Sequence, residues 1–189
     1  KTLLKATWDA AKLAHRTGVT TFADLSFGTI PGGYKAYQTV AADPNYPIRI
    51  VMNPLIQIFE SGDIAAKGGL DYLTEMHKSD TDRLSFGGVK FVADGSLQGY
   101  TGLFLWPYYY KTFANGLANI SQEDLNKWVL EVHKRGFQAV IHANADGATD
   151  MALKALAEAQ RQSPQFATRH RIEHNQLVTQ EQLEQMKQL

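Results

Sequence analysis

Along this chain, short runs of apolar residues alternate with longer stretches in which apolar positions return every three or four residues. The short runs are "VTTFADLS" (19–26), "IRIVMNP" (48–54), "VKFVADG" (89–95), "FQAVIHA" (137–143) and "HRIEHNQ" (170–176). Several are apolar at successive positions, the pattern of strands covered on both faces. The longer stretches predict helices. "KTLLKATWDAAKLAHRTG" reads as an amphipathic helix stopped by Gly18. "SQEDLNKWVLEVHKRG" has Ser121 as N-cap, Asp124 near the reciprocal position, a stripe of Leu125, Trp128, Val129 and Val132, and Gly136 as its end. "GATDMALKALAEAQ" (147–160) is rich in helix formers, with Met151 and Leu156 on the buried side. "TQEQLEQMKQL" (179–189) opens with a Thr179/Gln182 capping box and spaces Leu183, Met186 and Leu189 at helical intervals. In 61–79, Gly68 and Gly69 interrupt the pattern, so the helix there is placed from Gly69 onward.

Strands alternating with helices predict parallel βα units. A doubly wound sheet and a (β/α)8 barrel both fit that order. No G-x-G-x-x-G follows the first strand, which weakens a dinucleotide-binding fold. A whole (β/α)8 barrel takes roughly 200 residues or more. The 189 residues here, with five units, would form part of one, read as a single incomplete domain over residues 1–189.

Composition narrows the chemistry. A hydrophobic content of 44% supports a real core, and 19 basic against 19 acidic side chains leave no field to draw the chain to nucleic acid or anionic lipid. With no cysteine, disulfides, thiolate metal ligands and a cysteine nucleophile are excluded, so any metal must take nitrogen and oxygen ligands. The same lack suits a reducing compartment such as the cytoplasm, an exported parent staying open. No apolar run is long enough for a bilayer, and the first residues lack a signal peptide's apolar stretch. The chain starts with Lys1, without an initiator Met, which reads as a start inside a longer protein.

Three strands end in polar residues within apolar surroundings. The third offers Lys90 and Asp94; the fourth ends in His142, Asn144 and Asp146; the fifth ends in His174 and Gln176. In α/β barrels active-site groups gather at the C-terminal ends of strands. By alternation Lys90 and Asp94 share a face with Val92, His142 with Val140, and His174 with Ile172. Bland readings stand beside this. A strand-end histidine is often merely hydrogen-bonded, and Lys90 can simply pair with Asp94 or another carboxylate. His15 and His133 fall near helix C-termini, where a cation suits the dipole. "LFLWPYYYK" (103–111) reads equally as a pocket lining, a packed cap or a subunit contact.

"VKFVADGSLQGYTG", "VIHANADGATDMALKAL" and "RHRIEHNQ", in this order, resemble the amidohydrolase superfamily, in its amidohydrolase 3, YtcJ-like branch that includes N-substituted formamide deformylases. The resemblance rests on V-K-x-x-x-D-G-S, an H-A-x-x-D strand end and R-I-E-H-x-Q, and it spans most of the chain. It implies a (β/α)8 barrel, here its strands 2 to 6, with one or two divalent metals, usually zinc. By motif position Lys90 would be the strand-4 ligand, as a carbamate, with His142 and His174 the strand-5 and strand-6 ligands. Burial lowers a lysine's pKa, leaving a neutral amine able to take up carbon dioxide as a bridging carbamate. The metals would lower the pKa of a bound water to make a nucleophile. Asp94, Gln98 and Tyr100 are the candidates for substrate contact, with turn chemistry around Gly95 and Gly99 the alternative for the last two.

The sequence also departs from the family. It holds no His-x-His, and the strand-8 aspartate that takes a proton lies outside it. "HANAD" replaces the commoner H-A-I-G-D, so Asn144 alters the surroundings of the site. The implied function is hydrolysis of C–N bonds in amides, formamides or N-acyl compounds, with this piece alone inactive. A Lys90 Schiff-base lyase and a non-catalytic structural or binding remnant are the rivals. Open strand edges predict a homo-oligomer or strand-swapped assembly, and a clean monomer in light scattering would count against it.

Overall fold

The structure, a computed structural model, describes residues 2–59, 67–110 and 114–189. Each apolar run becomes a strand, and the periodic stretches between become helices. The chain divides into two compact units, Lys1–Gly88 and Val89–Leu189.

The first unit opens with helix α1 (Thr2–Arg16), ended by Gly18 at φ 85°, where a residue with a side chain would be strained. Strand β1 (Thr21–Phe27), helix α2 (Gly33–Ala41), strand β2 (Arg49–Pro54), a 3-10 turn (Ile56–Phe59), helix α3 (Leu70–His77) and strand β3 (Leu84–Phe86) follow. The strands form a three-stranded parallel sheet in the order β1-β2-β3. Ile50, Met52, Val40, Leu73 and Met76 are buried in this unit. Helix α3 starts directly after Gly69, as the glycine pair predicts. Two elements escape the sequence reading. Helix α2 opens at Gly33, directly behind Pro31 and Gly32, and β3 spans only three residues.

The second unit holds strand β4 (Val89–Val92), helix α4 (Gln122–Lys134), strand β5 (Ala139–Ala143), helix α5 (Asp146–Gln162), strand β6 (Arg171–His174) and helix α6 (Gln180–Gln188). Its sheet is again three-stranded and parallel, ordered β4-β5-β6. Thus, among the described residues, six strands in two sheets stand where five were expected, all pairings being parallel. The expected strand over 89–95 is regular only to Val92, after which the chain turns into a loop. Val89, Phe91, Ala139 and Ile141 are fully buried, as are Leu125, Val129 and Val132 of α4 and Ala152, Ala155 and Ala159 of α5. The alanines let α5 lie close to α4, the large stripe of α4 filling the space between.

The caps follow the sequence. Ser121 accepts from the Asp124 amide at 3.0 Å, and Thr179 with Gln182 forms a complete capping box. Helix α6 nevertheless buries a polar residue. Gln182 is 5% exposed, its Nε2 donating to the Asp146 carbonyl at 2.8 Å, while Leu183 is 44% exposed. Among the described residues no helix is long and apolar enough to cross a membrane.

Candidate metal centre

The candidate residues of the second unit collect at the C-terminal ends of β4, β5 and β6. Parallel register pairs Lys90 with Val140 and Val92 with His142, and these in turn with Arg171 and Glu173. Partners across a ladder share a face, so Lys90, His142 and Glu173 do. The Ala143–His174 pairing would leave His174 on the opposite face, with Ile172. His174 escapes this through its backbone. It and Asn175 have φ values of 70° and 48°, a left-handed turn that ends the alternation. The His174 ring then lies 4.5 Å from the His142 ring, the planes at 71°.

Lys90 is 4% exposed, and its Nζ has no hydrogen-bond partner among the described residues. Burial brings its pKa down to about 8 from the ordinary 10.5, with Glu173 pulling upward and Arg171 pushing downward. The simple pairing with Asp94 is not made. Glu173 instead takes up Arg171, 2.7 Å away. His174 is held below its ordinary value by partial burial first, and then by His142 and Lys90 beside it.

Asp94 is fully buried. Its Oδ1 accepts from the Asn144 amide at 2.9 Å and faces His142 Nε2 at 3.3 Å. Its Oδ2 accepts from the amides of Leu103 at 2.9 Å and Ala145 at 3.2 Å. Burial by itself would raise this carboxyl; the bonds from His142, Asn144, Leu103 and Ala145 outweigh it and hold Asp94 below its usual range. His142 Nε2 also donates to the Gly95 carbonyl at 3.0 Å, and Asn144 Nδ2 donates to the same oxygen at 2.7 Å. Asn144 Nδ2 also lies 3.3 Å from His142 Nε2, but the nearer Gly95 carbonyl and the Asp94 carboxylate place the proton on Nε2 and leave the lone pair on Nδ1. The Asn144 Oδ1 is buried without a partner among the described residues.

Gln98 and Tyr100 sit on a tight turn in the loop after β4, where the Tyr100 amide donates to the Leu97 carbonyl at 3.1 Å. Gln98 is exposed. Tyr100 has φ 56° and packs its ring 5.2 Å from that of Tyr108. The loop is rooted beside the histidines. The Leu105 amide donates to Asp146 Oδ1 at 3.0 Å, and the Ala148 amide donates to the Leu103 carbonyl at 3.1 Å. Gly147 permits this approach, since a Cβ there would lie 2.7 Å from the Leu103 oxygen. In "LFLWPYYYK", Phe104 and Tyr108 pack edge to face, while Trp106, Tyr109 and Tyr110 are exposed. Lys111 lies outside the described residues.

Among the described residues no three His, Asp or Glu side chains form a group that could hold a metal. What the structure brings together is two imidazoles and one buried, unpartnered amine. They fit part of a divalent metal's coordination shell, with the amine needing carboxylation to supply an oxygen ligand. Sequence reasoning missed Glu173, whose only signal is the register of β6 against β5. It also misjudged His133, expected as a cation at a helix end. That side chain is fully buried, its Nδ1 2.9 Å from His170 Nε2 and its Nε2 2.7 Å from the Ser163 carbonyl.

The amidohydrolase family model matches residues 1–189. The putative amidohydrolase YtcJ of Bacillus subtilis (strain 168) is 26% identical over 162 residues, 85% of this chain and 28% of that protein. Protein LONG AFTER FAR-RED 3 of Arabidopsis thaliana is 36% identical over 93 residues, 49% of this chain and 16% of that protein. Among solved structures, an uncharacterized metal-dependent hydrolase from Pyrococcus horikoshii OT3 superposes with a TM-score of 0.77 at 23% identity, covering 98% of this chain and 35% of that one. Another, from Pyrococcus furiosus, gives 0.74 at 26% identity, covering 95% and 35%. The chain spans between 16% and 35% of the length of these proteins. With its whole length matched by the family model, this chain belongs to the amidohydrolase family.

Proposed function

We propose that the chain forms part of a metal-dependent hydrolase that cleaves C–N bonds of amides, formamides or N-acyl compounds, with β1, β2, β4, β5 and β6 as strands 2 to 6 of a (β/α)8 barrel. The observation that carries the reading is Lys90, whose buried Nζ has no hydrogen-bond partner among the described residues, on the face it shares with His142. A lysine is rarely buried unless paired or chemically engaged. Lys90 as a carbamate, His142 and His174 would hold a divalent metal; the nitrogen-and-oxygen donor set admits zinc, the metal that the family resemblance implies. When bound, the metal supplies Lewis acidity that activates water toward the carbonyl carbon. The chain's own residues orient the site. Asp94 and Gly95 hold the His142 ring, the left-handed turn at His174 aims the second ring, and the loop carrying Gln98 and Tyr100 forms the substrate rim. Absence of cysteine suits a cytoplasmic parent.

The test uses the whole protein and the chain alone. Replacing Lys90, His142 or His174 with Ala in the full-length protein should lower kcat/KM on an N-formyl or N-acyl substrate by at least about 100-fold and lower bound zinc together with it. The 189-residue chain alone should show no turnover. Metal-dependent turnover by the chain alone, or full activity in the three variants, overturns the reading. One feature favours a second reading. An unpaired amine with its pKa near 8 is also the state a Schiff-base lysine needs. Borohydride trapping of a carbonyl compound on Lys90, without metal dependence, would select that lyase reading.

A further inference from the structure

An ionised carboxylate offers about four acceptor sites. At Asp94 three backbone amides donate, those of Asn144, Leu103 and Ala145, and His142 Nε2, which donates to the Gly95 carbonyl, stands 3.3 Å from Oδ1. The group is fully buried among them, with no exposed side to offer a ligand. We infer that Asp94 is a positioning residue that acts through His142, fixing the ring as its Nε2–H tautomer with the lone pair on Nδ1, and that it does not touch substrate. This rests on the reading of His142 as a metal ligand.

Position explains how one side chain does this. Asp94 lies beyond the last residue of β4, where the Ala93 amide still donates to the His142 carbonyl at 2.9 Å. It therefore stands beside the end of β5 on the face of His142 and Asn144. The donors come from three places: the imidazole on β5, the β5–α5 junction, and the loop at Leu103. Only the imidazole can choose whether to offer a proton or a lone pair. Three amide protons are fixed, so the carboxylate's remaining demand falls on the ring. The Gly95 carbonyl, an acceptor too, reinforces the choice.

The experiment is nitrogen NMR of the histidine rings in the metal-free chain, at a pH where the imidazoles are neutral. The nitrogens of a neutral ring resonate far apart according to which carries the proton. In the wild type His142 should read as Nε2–H. Asp94→Asn keeps the shape. Its oxygen would stay on the amides of Leu103 and Ala145, turning the NH2 group toward His142 at the loss of the bond from the Asn144 amide, and pressing the ring toward the Nδ1–H form. His142 alone should change tautomer, with His133 and His170 unmoved. Asn144→Ala keeps the backbone donor and should leave the tautomer as it was. An unchanged His142 in folded Asp94→Asn, or a switch in Asn144→Ala, overturns the inference. If Asp94→Asn does not fold, the wild type decides, since an Nδ1–H or mixed ring overturns it. Adding zinc to the same sample separates the two readings. Failure of the His142 and His174 signals to respond would count against the metal reading and leave the tautomer result standing.

Discussion

The second unit carries two histidine pairs, one near the N-terminal ends of β5 and β6 and one at their C-terminal ends. In the first, the Ala139 amide donates to His170 Nδ1, His170 Nε2 faces His133 Nδ1, and His133 Nε2 meets the Ser163 carbonyl. Only one arrangement of protons satisfies that chain: His170 and His133 each neutral, each carrying its hydrogen on Nε2. Every ring nitrogen is used. In the second pair the hydrogen-bonding contacts of His142 gather at Nε2 and leave Nδ1 without one, and His174 has no hydrogen bond to either ring nitrogen, both among the described residues. The pairs lie near opposite ends of β5 and β6 and differ in how many lone pairs are already taken. The filled pair is structure, and the unfilled pair at the strand ends is where the proposed metal would be held.

Breaking the filled pair should cost most. His133→Ala or His170→Ala leaves buried partners unsatisfied and should destabilise the chain by about 2–4 kcal/mol. His174→Ala should cost less than about 1 kcal/mol. Denaturant unfolding of the variants measures the gap, and equal losses would dissolve the contrast.

Acid should find the same pair. Burial, helped by His133, takes His170 from 6.5 down to about 4. Between those values the unfolded chain binds a proton that the folded chain refuses, so stability rises with pH there. It should therefore be full above about 6.5 and fall toward pH 4 by up to about 3 kcal/mol. Stability followed from pH 7 to pH 4 should flatten in His170→Asn, and an unaltered slope would remove His170 as the cause.

Lys90→Met tests the unfilled end with the opposite sign. Removing a buried amine without a partner should stabilise the chain by about 1–3 kcal/mol, while zinc uptake falls. A thermal melt and a metal titration on the same variant read both. Loss of stability would mean that Lys90 has a structural partner after all.

Much of this was legible in the sequence because apolar runs, caps and glycine stops act locally. Gly18, Gly69, Ser121 and Thr179 mark their boundaries within a residue or two. Helix α2 and β3 were not legible. One begins inside a Pro-Gly-Gly segment with turn propensity, and the other is too short for a period to show. At the site, alternation assigned Lys90 and Asp94 to one face, and β4 keeps that order. It could not reveal that His174 needs a left-handed turn to reach His142, because no residue type forced that turn. Nor could it place His133 inside, since a histidine in a helix's last turn reads the same whether it meets solvent or His170.

The loop after β4 is held at its root and left open at its tip. Asp94 and Asp146 grip the amides of Leu103 and Leu105, and Gly147 gives the backbone room, while Trp106, Tyr109 and Tyr110 face outward. Such a division lets inheritance work on two clocks. Changes at the root disturb the histidine that Asp94 also grips, and selection should remove them. Changes at the tip leave the root's bonds intact, so the tip can diversify, as a tool handle keeps its fitting while its blade is exchanged.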